Sequence, residues 1–170
     1  MNKRTFLKLF AVLMASPTLS WLPAWANEKL KNWAGNLEYS TDRLYSANSL
    51  GQVRDYVKKE NKLKVLGTRH CFNNIADSAN RFLSLKSMNE VVDLDVTAHT
   101  VTINAGMTYG QLCPYLDAKG FALHNLASLP HISVAGACST ATHGSGETNG
   151  NLATAVSALE IVAASGDIIK

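Results

Sequence analysis

Two stretches of this 170-residue chain set very small residues beside groups that could hold an anion or react. The first runs Val65, Leu66, Gly67, Thr68, Arg69, His70, Cys71, Phe72, Asn73, Asn74. An apolar β-type run stops at Gly67 and polar residues follow at once. A glycine here can take positive φ, and without a Cβ it lets a ligand lie against the backbone. Thr68 and Arg69 can donate hydrogen bonds to an anion. Taken alone, Gly-Thr-Arg is a common turn sequence.

The second stretch, 125–146, reads as a long loop. It includes Ser128, Leu129, Pro130, His131, Ile132, Ser133, Val134, Ala135 and Gly136, and ends on Thr140, Ala141, Thr142, His143, Gly144, Ser145, Gly146. From Ser133 onward almost every side chain is tiny. Such a run adds little core, so its use is to bring backbone N–H groups close to something flat or anionic. A tightly packed small-residue turn has the same composition. Common nucleotide and hydrolase signatures are absent. The glycines at 144, 146 and 150 are spaced one residue too widely for the dinucleotide fingerprint, no Walker lysine follows a glycine-rich loop, and there is no G-x-S-x-G elbow.

The remaining histidines have plainer readings. His99 reads as a surface residue, and His124 and His131 as structural. His143 reads as a backbone-orienting or ligand-contacting residue rather than a base. No histidine pair is spaced i, i+3 or i, i+4, and no C-x-x-C occurs, so no metal site is expected. Cys71, Cys113 and Cys138 allow at most one internal disulfide, and three thiols are the simpler reading. Tyr109 and Tyr115 read as core.

Elements that could position these loops are visible around them. Ser49 and Gln52 form a capping box ahead of Leu50, Val53 and Val57, with Lys58, Lys59 and Glu60 closing the helix. Thr108 and Gln111 repeat the device ahead of Leu112, Tyr115 and Leu116, ending at Gly120. Pro114 falls inside that run and is tolerable only near the first turn. Strands are expected at 63–66, 81–85, 91–94, 101–104 and 158–164, the last turning through Ser165, Gly166 and Asp167 into Ile168 and Ile169. Short strands mixed with a few helices give an α+β class. A chain stopping within that return strand is expected to be truncated.

The N-terminus reads as a signal peptide over residues 1–26. Lys3, Arg4 and Lys8 are followed by an apolar run, and Ala24, Trp25, Ala26 form a small-x-small cleavage pattern. Ser16, Pro17 and Pro23 break the run, against a spanning helix; an uncleaved anchor is the alternative. Lys3-Arg4-Thr5-Phe6-Leu7-Lys8 resembles the twin-arginine (Tat) motif with lysine for its first arginine, which favours Tat over Sec export. Removing these three from the chain's 16 basic residues leaves as many as its 13 acidic ones. Nucleic-acid binding then loses its electrostatic footprint.

The paired stretches 67–73 and 128–136, with Thr142, His143, Gly144, Ser145 and Gly146, resemble the vanillyl-alcohol-oxidase-type (PCMH-type) FAD-binding domain. Within it they are most similar to bacterial alditol (xylitol) oxidases and aldonolactone oxidases. The resemblance implies a two-lobed α+β FAD domain over 46–170, after a lead-in at 27–45, with FAD extended between the lobes. It places a covalent flavin link on His70. Phosphate and ribityl contacts fall on Val65, Leu66, Gly67, Thr68, Arg69, His70 and Cys71, then on Ser128, Ser133, Gly136, Thr140, Ala141, Thr142 and His143. Cys71 departs from the serine that alditol oxidases tend to carry. A neutral imidazole can attack the flavin's 8α position, and the bond would retain cofactor outside the cell. The implied reaction is hydride transfer from a CH–OH carbon of a polyol or sugar lactone to flavin N5, with oxygen or another acceptor reoxidising the flavin. Catalytic and substrate residues are implied in a C-terminal domain beyond this chain. A non-catalytic secreted nucleotide-binding module is the competing reading.

Overall fold

The computed structural model describes residues 29–170; the expected signal segment at 1–26 lies outside them. Strand β1 (Leu44–Ser46), helix α1 (Leu50–Lys59), β2 (Lys64–Val65) and β3 (Phe82–Ser84) build a three-stranded sheet in the order β1-β3-β2. Both pairings are parallel. The central strand of a parallel sheet must be covered on both faces, and successive residues of β3 serve opposite faces. Phe82 packs with Tyr39 and Leu66, and Leu83 with Ala47 and Val53.

Helix α1 starts as its residues require. Ser49 Oγ accepts from the Gln52 N–H, while Gln52 Oε1 reaches the Asn48 N–H at 3.0 Å, one residue outside the expected box. Val53 is buried and Val57 packs beside it, but Leu50 is exposed, so the apolar stripe is narrower than its spacing implies. Arg81 Nε meets Glu60 Oε2 at 2.7 Å, tying the end of α1 to the start of β3.

A second lobe begins with the antiparallel hairpin β4 (Val91–Asp95) and β5 (Thr100–Ile103). Val91, Leu94, Val101 and Ile103 cover Met107, Leu112 and Leu116, the last two on helix α2 (Tyr109–Asp117). Gln111 Oε1 accepts from the Thr108 N–H at 3.1 Å. At the other end Gly120, at φ 79°, donates to Asp117 O, and Phe121 donates to Leu116 O, the two bonds of a Schellman ending. Pro114 sits in the second turn of α2 rather than the first. It costs one intrahelical donor, in a helix already anchored by Leu112 and Leu116.

The stretch read as a continuous loop from 125 to 146 contains a third helix, α3 (Val134–Ser139). Alanine and valine backbone closes one and a half turns there without an apolar period long enough to announce a helix. The expected strand at 158–164 is confined to β6 (Ile161–Val162), which pairs antiparallel with β7 (Ile168–Ile169). This hairpin returns to the first lobe through Val162 and through Arg54 Nε donating to Gly166 O at 2.6 Å. The lead-in is also part of the fold. Lys31 bridges Glu38, Tyr39 is buried, and Ser40 donates through N–H and Oγ to the Asp77 carboxylate at 2.8 and 2.6 Å. Those bonds hold Asp77 below the usual carboxylate range. Among the described residues no helix is long and apolar enough to cross a membrane.

Candidate cofactor site

The two stretches picked out from the sequence meet at Ser133. The end of β2 delivers Gly67, and the N-cap of α3 delivers Ser133, whose N–H reaches Thr68 Oγ1 at 3.3 Å. Ser133 is buried. A Cβ built on Gly67 would lie 2.9 Å from its Oγ, and one on Gly136 only 2.5 Å. At either position a side chain would have to displace the Ser133 hydroxyl. The left-handed residue in the first loop is Arg69, at φ 63°, rather than Gly67.

Beyond that contact the first loop is open. The backbone N–H groups of Gly67, Thr68, Arg69, His70 and Cys71 donate to no acceptor among the described residues. The same holds for Ala135 and Gly136 in the first turn of α3. Backbone donors are obligatory hydrogen-bonding groups, and consecutive ones around a left-handed residue form an anion-binding concavity. The residues present thus fit a phosphate-bearing cofactor. Arg69 is partly committed, since its Nη1 donates to Lys31 O at 2.8 Å.

His70 is half-buried beside three rings. Its Nδ1 lies 3.3 Å from His131 Nε2. Trp33 of the lead-in lies 4.9 Å from it, centroid to centroid, and Phe72 lies 5.3 Å away on edge. Burial and then the neighbouring His131 push the His70 pKa below its ordinary value of 6.5, so the ring is neutral at physiological pH.

The other expected contacts are placed unevenly. Val65 is exposed at the end of β2, whereas the Leu66 side chain is 3% exposed and belongs to the core with Tyr39 and Phe82. Leu66 therefore offers a cofactor its backbone and not its side chain, because the strand alternation turns it inward. Cys71 is half-buried and its carbonyl accepts from Asn32 Nδ2 at 3.0 Å. Ser128 is exposed. Thr140 Oγ1 donates to Gly136 O, Ala141 takes φ 52°, and Thr142 O accepts from Leu152 N. His143 is exposed with Nδ1 2.9 Å from Gly144 O. This 140–143 segment reaches the meeting point through Gly136, and among the described residues no hydrogen bond or ring contact joins it to His70.

Trp33 and Asn32 were invisible as site residues because they lie in a lead-in with no glycine-rich or periodic signal. His131 appeared as a structural residue, and only the folded loops show its ring against His70. His124 is exposed, and the His99 ring meets Phe121. All three cysteines are free thiols. Among the described residues no group of three or more His, Cys, Asp or Glu is placed to hold a metal.

Comparison with known proteins agrees with this geometry. Residues 45–170 match the family described as "FAD binding domain". The chain is 40% identical over 142 residues to an alditol oxidase of Streptomyces sp. (strain IKD472 / FERM P-14339), covering 82% of this chain and 34% of that one. It is 32% identical to the L-gulonolactone oxidase of Mus musculus, covering 84% and 33%. The crystal structure of p-cresol methylhydroxylase with substrate bound superposes with a TM-score of 0.60 at 23% identity, over 74% of this chain and 26% of that one. The chain spans about a third of the length of the curated relatives it matches. On these grounds the chain belongs to the FAD-binding domain family of vanillyl-alcohol-oxidase type.

Proposed function

We propose that this chain is the cofactor-holding part of an exported FAD-dependent oxidoreductase that oxidises a CH–OH group of an alditol or an aldonolactone, with FAD attached covalently through His70. The observation that carries the cofactor reading is the run of N–H groups from Gly67 to Cys71 that find no acceptor among the described residues, beside a histidine whose pKa is lowered. The substrate class rests on similarity to an alditol oxidase and an L-gulonolactone oxidase. Export rests on the basic start and the Ala24-Trp25-Ala26 end of the N-terminal segment.

In this reading the Gly67–Cys71 amides and the first turn of α3 bind the pyrophosphate. Ser133 locks the two segments together at their closest approach. Ser128, Thr140, Ala141, Thr142 and His143 line the path toward the ribityl chain. Val65 and Leu66 contribute backbone at the edge of β2. His70 supplies the neutral ring nitrogen for attachment, which needs no prior deprotonation of an imidazolium at physiological pH. When bound, FAD supplies hydride-acceptor chemistry at N5, and oxygen or another acceptor takes the electrons on.

The test uses full-length protein from its native host. Its flavin is followed anaerobically while alditols and aldonolactones are added singly, and product formation is then assayed in air and with an artificial acceptor. Bleaching of the flavin by one of the two classes is the expected result. A bound flavin that no member of either class reduces would instead favour the non-catalytic binding module, and purified protein without flavin would overturn the cofactor reading.

A further inference from the structure

The surroundings of His70 contain more order than an attachment point needs. Both carbonyls flanking it are held by adjacent residues of the lead-in. The Trp33 N–H donates to Arg69 O at 2.8 Å, and Asn32 Nδ2 donates to Cys71 O at 3.0 Å. Asn32 is itself buried and fully engaged, donating to Asn36 Oδ1 and accepting from the Leu37 N–H. The tight turn at Gly35, φ 73°, closes this clamp. Trp33 is 53% exposed, so core packing does not explain it. Its ring instead stacks on His131 at 5.1 Å and 19°, and tilts over His70 at 4.9 Å and 46°. One tryptophan thus covers two imidazoles whose nitrogens face each other at 3.3 Å.

We propose that Trp33 and His131 are positioning residues for flavin attachment: Trp33 fixes the plane of the His70 ring, and His131 Nε2 takes the proton that the His70 imidazole gives up. The inference rests on the reading of His70 as the attachment point. The bond formed joins a His70 ring nitrogen to the flavin 8α carbon. An N–H bond of the imidazole and a C–H bond of the flavin methyl group break. The two hydrogens leave as two protons and two electrons, which one dioxygen takes up as hydrogen peroxide. His131 receives the imidazole proton and passes it to solvent or peroxide. The 3.3 Å contact of the two ring nitrogens suits this role, because donation from His70 to His131 raises electron density on the His70 ring. The other titratable or charged residues on the segments that meet here are Arg69 and Cys71 on the loop and Lys29, Lys31, Glu38 and Tyr39 in the 29–39 part of the lead-in. Arg69 Nη1 donates to the Lys31 carbonyl.

The experiment compares full-length wild type with Trp33→Ala, Trp33→Leu, Trp33→Phe, His131→Gln and His131→Leu, each made flavin-free and then given FAD in air. Acid-precipitated flavin fluorescence reports attachment, and total bound flavin before acid reports binding. Rates are taken from about pH 5.5 to about pH 8.5, the range in which an imidazole changes charge. His131→Gln is expected to bind FAD but attach it about a hundredfold more slowly, with a pH dependence of the rate that differs from wild type. Trp33→Phe should attach at close to the wild-type rate and Trp33→Ala much more slowly, at unchanged pH profile. Attachment by His131→Gln at the wild-type rate and with the wild-type profile would overturn the proton-acceptor role, and so would the same result in His131→Leu if the Gln variant does not fold. Wild-type behaviour of Trp33→Ala, or of Trp33→Leu in its place, would overturn the clamp. Absence of acid-stable flavin from wild type is a separate outcome, which overturns the attachment reading and this one with it.

Discussion

At the scale of single residues, Ser133 decides whether the two cofactor loops can coexist. Its hydroxyl fills the space that any Cβ at Gly136 or Gly67 would need. Overpacking of this kind costs about 1–3 kcal/mol, because a buried serine has few rotamers into which to retreat. Gly136→Ala should therefore lower stability to urea and weaken FAD binding together. Combining it with Ser133→Ala, which removes the clashing oxygen, should recover part of both. Equal losses in the single and double variants, measured by urea unfolding and FAD titration, would show that the contact is not what requires the glycine. His70 behaves differently from a surface imidazole for a related reason. Its folded pKa lies below its ordinary value of 6.5. Its contribution to stability is accordingly whole above that pH and declines as pH falls through the window below it.

At the scale of elements, the crossing of the β3–β4 connection with the β5–α2 connection holds the second lobe in place. Gly106 donates to Met88 O at 2.9 Å, and a Cβ on it would lie on top of Leu85 O and Met88 O. These are backbone atoms, which cannot rotate aside. Gly106→Ala should destabilise the domain by about 3 kcal/mol, at the upper end of overpacking costs, and a urea midpoint equal to wild type would contradict that packing. How much of this level could be read beforehand follows from the kind of signal each element leaves. The helices at α1 and α2 were visible because Ser49 with Gln52 and Thr108 with Gln111 write their caps into the sequence, and Gly120 writes the end of the second. Helix α3 was hidden, since Val134, Ala135, Gly136, Ala137, Cys138 and Ser139 carry no apolar period. Strand β1 was hidden because Leu44, Tyr45 and Ser46 are too few to alternate, and their pairing partner Phe82–Ser84 lies far along the chain.

At the scale of the molecule, two lobes meet around one strip of backbone, with the lead-in folded against it. The strip was legible through its glycines and tiny side chains, while the flavin link on His70 is what the family resemblance implies. The sequence left Trp33, Asn32 and the pairing of His70 with His131 unseen, because contacts across 39 and 61 residues have no local pattern. The central expectation is that FAD is bound, and bonded to the chain, at this strip. Trypsin cuts after Arg69 and Arg81, so His70 begins the fragment 70–81. The decisive measurement is the mass of that fragment from full-length holoprotein digested after acid denaturation. The fragment is expected with the mass of FAD added, less the hydrogens lost in forming the bond, and absent from a His70→Ala digest. An unmodified fragment 70–81, with all the flavin free in the acid supernatant, would contradict it.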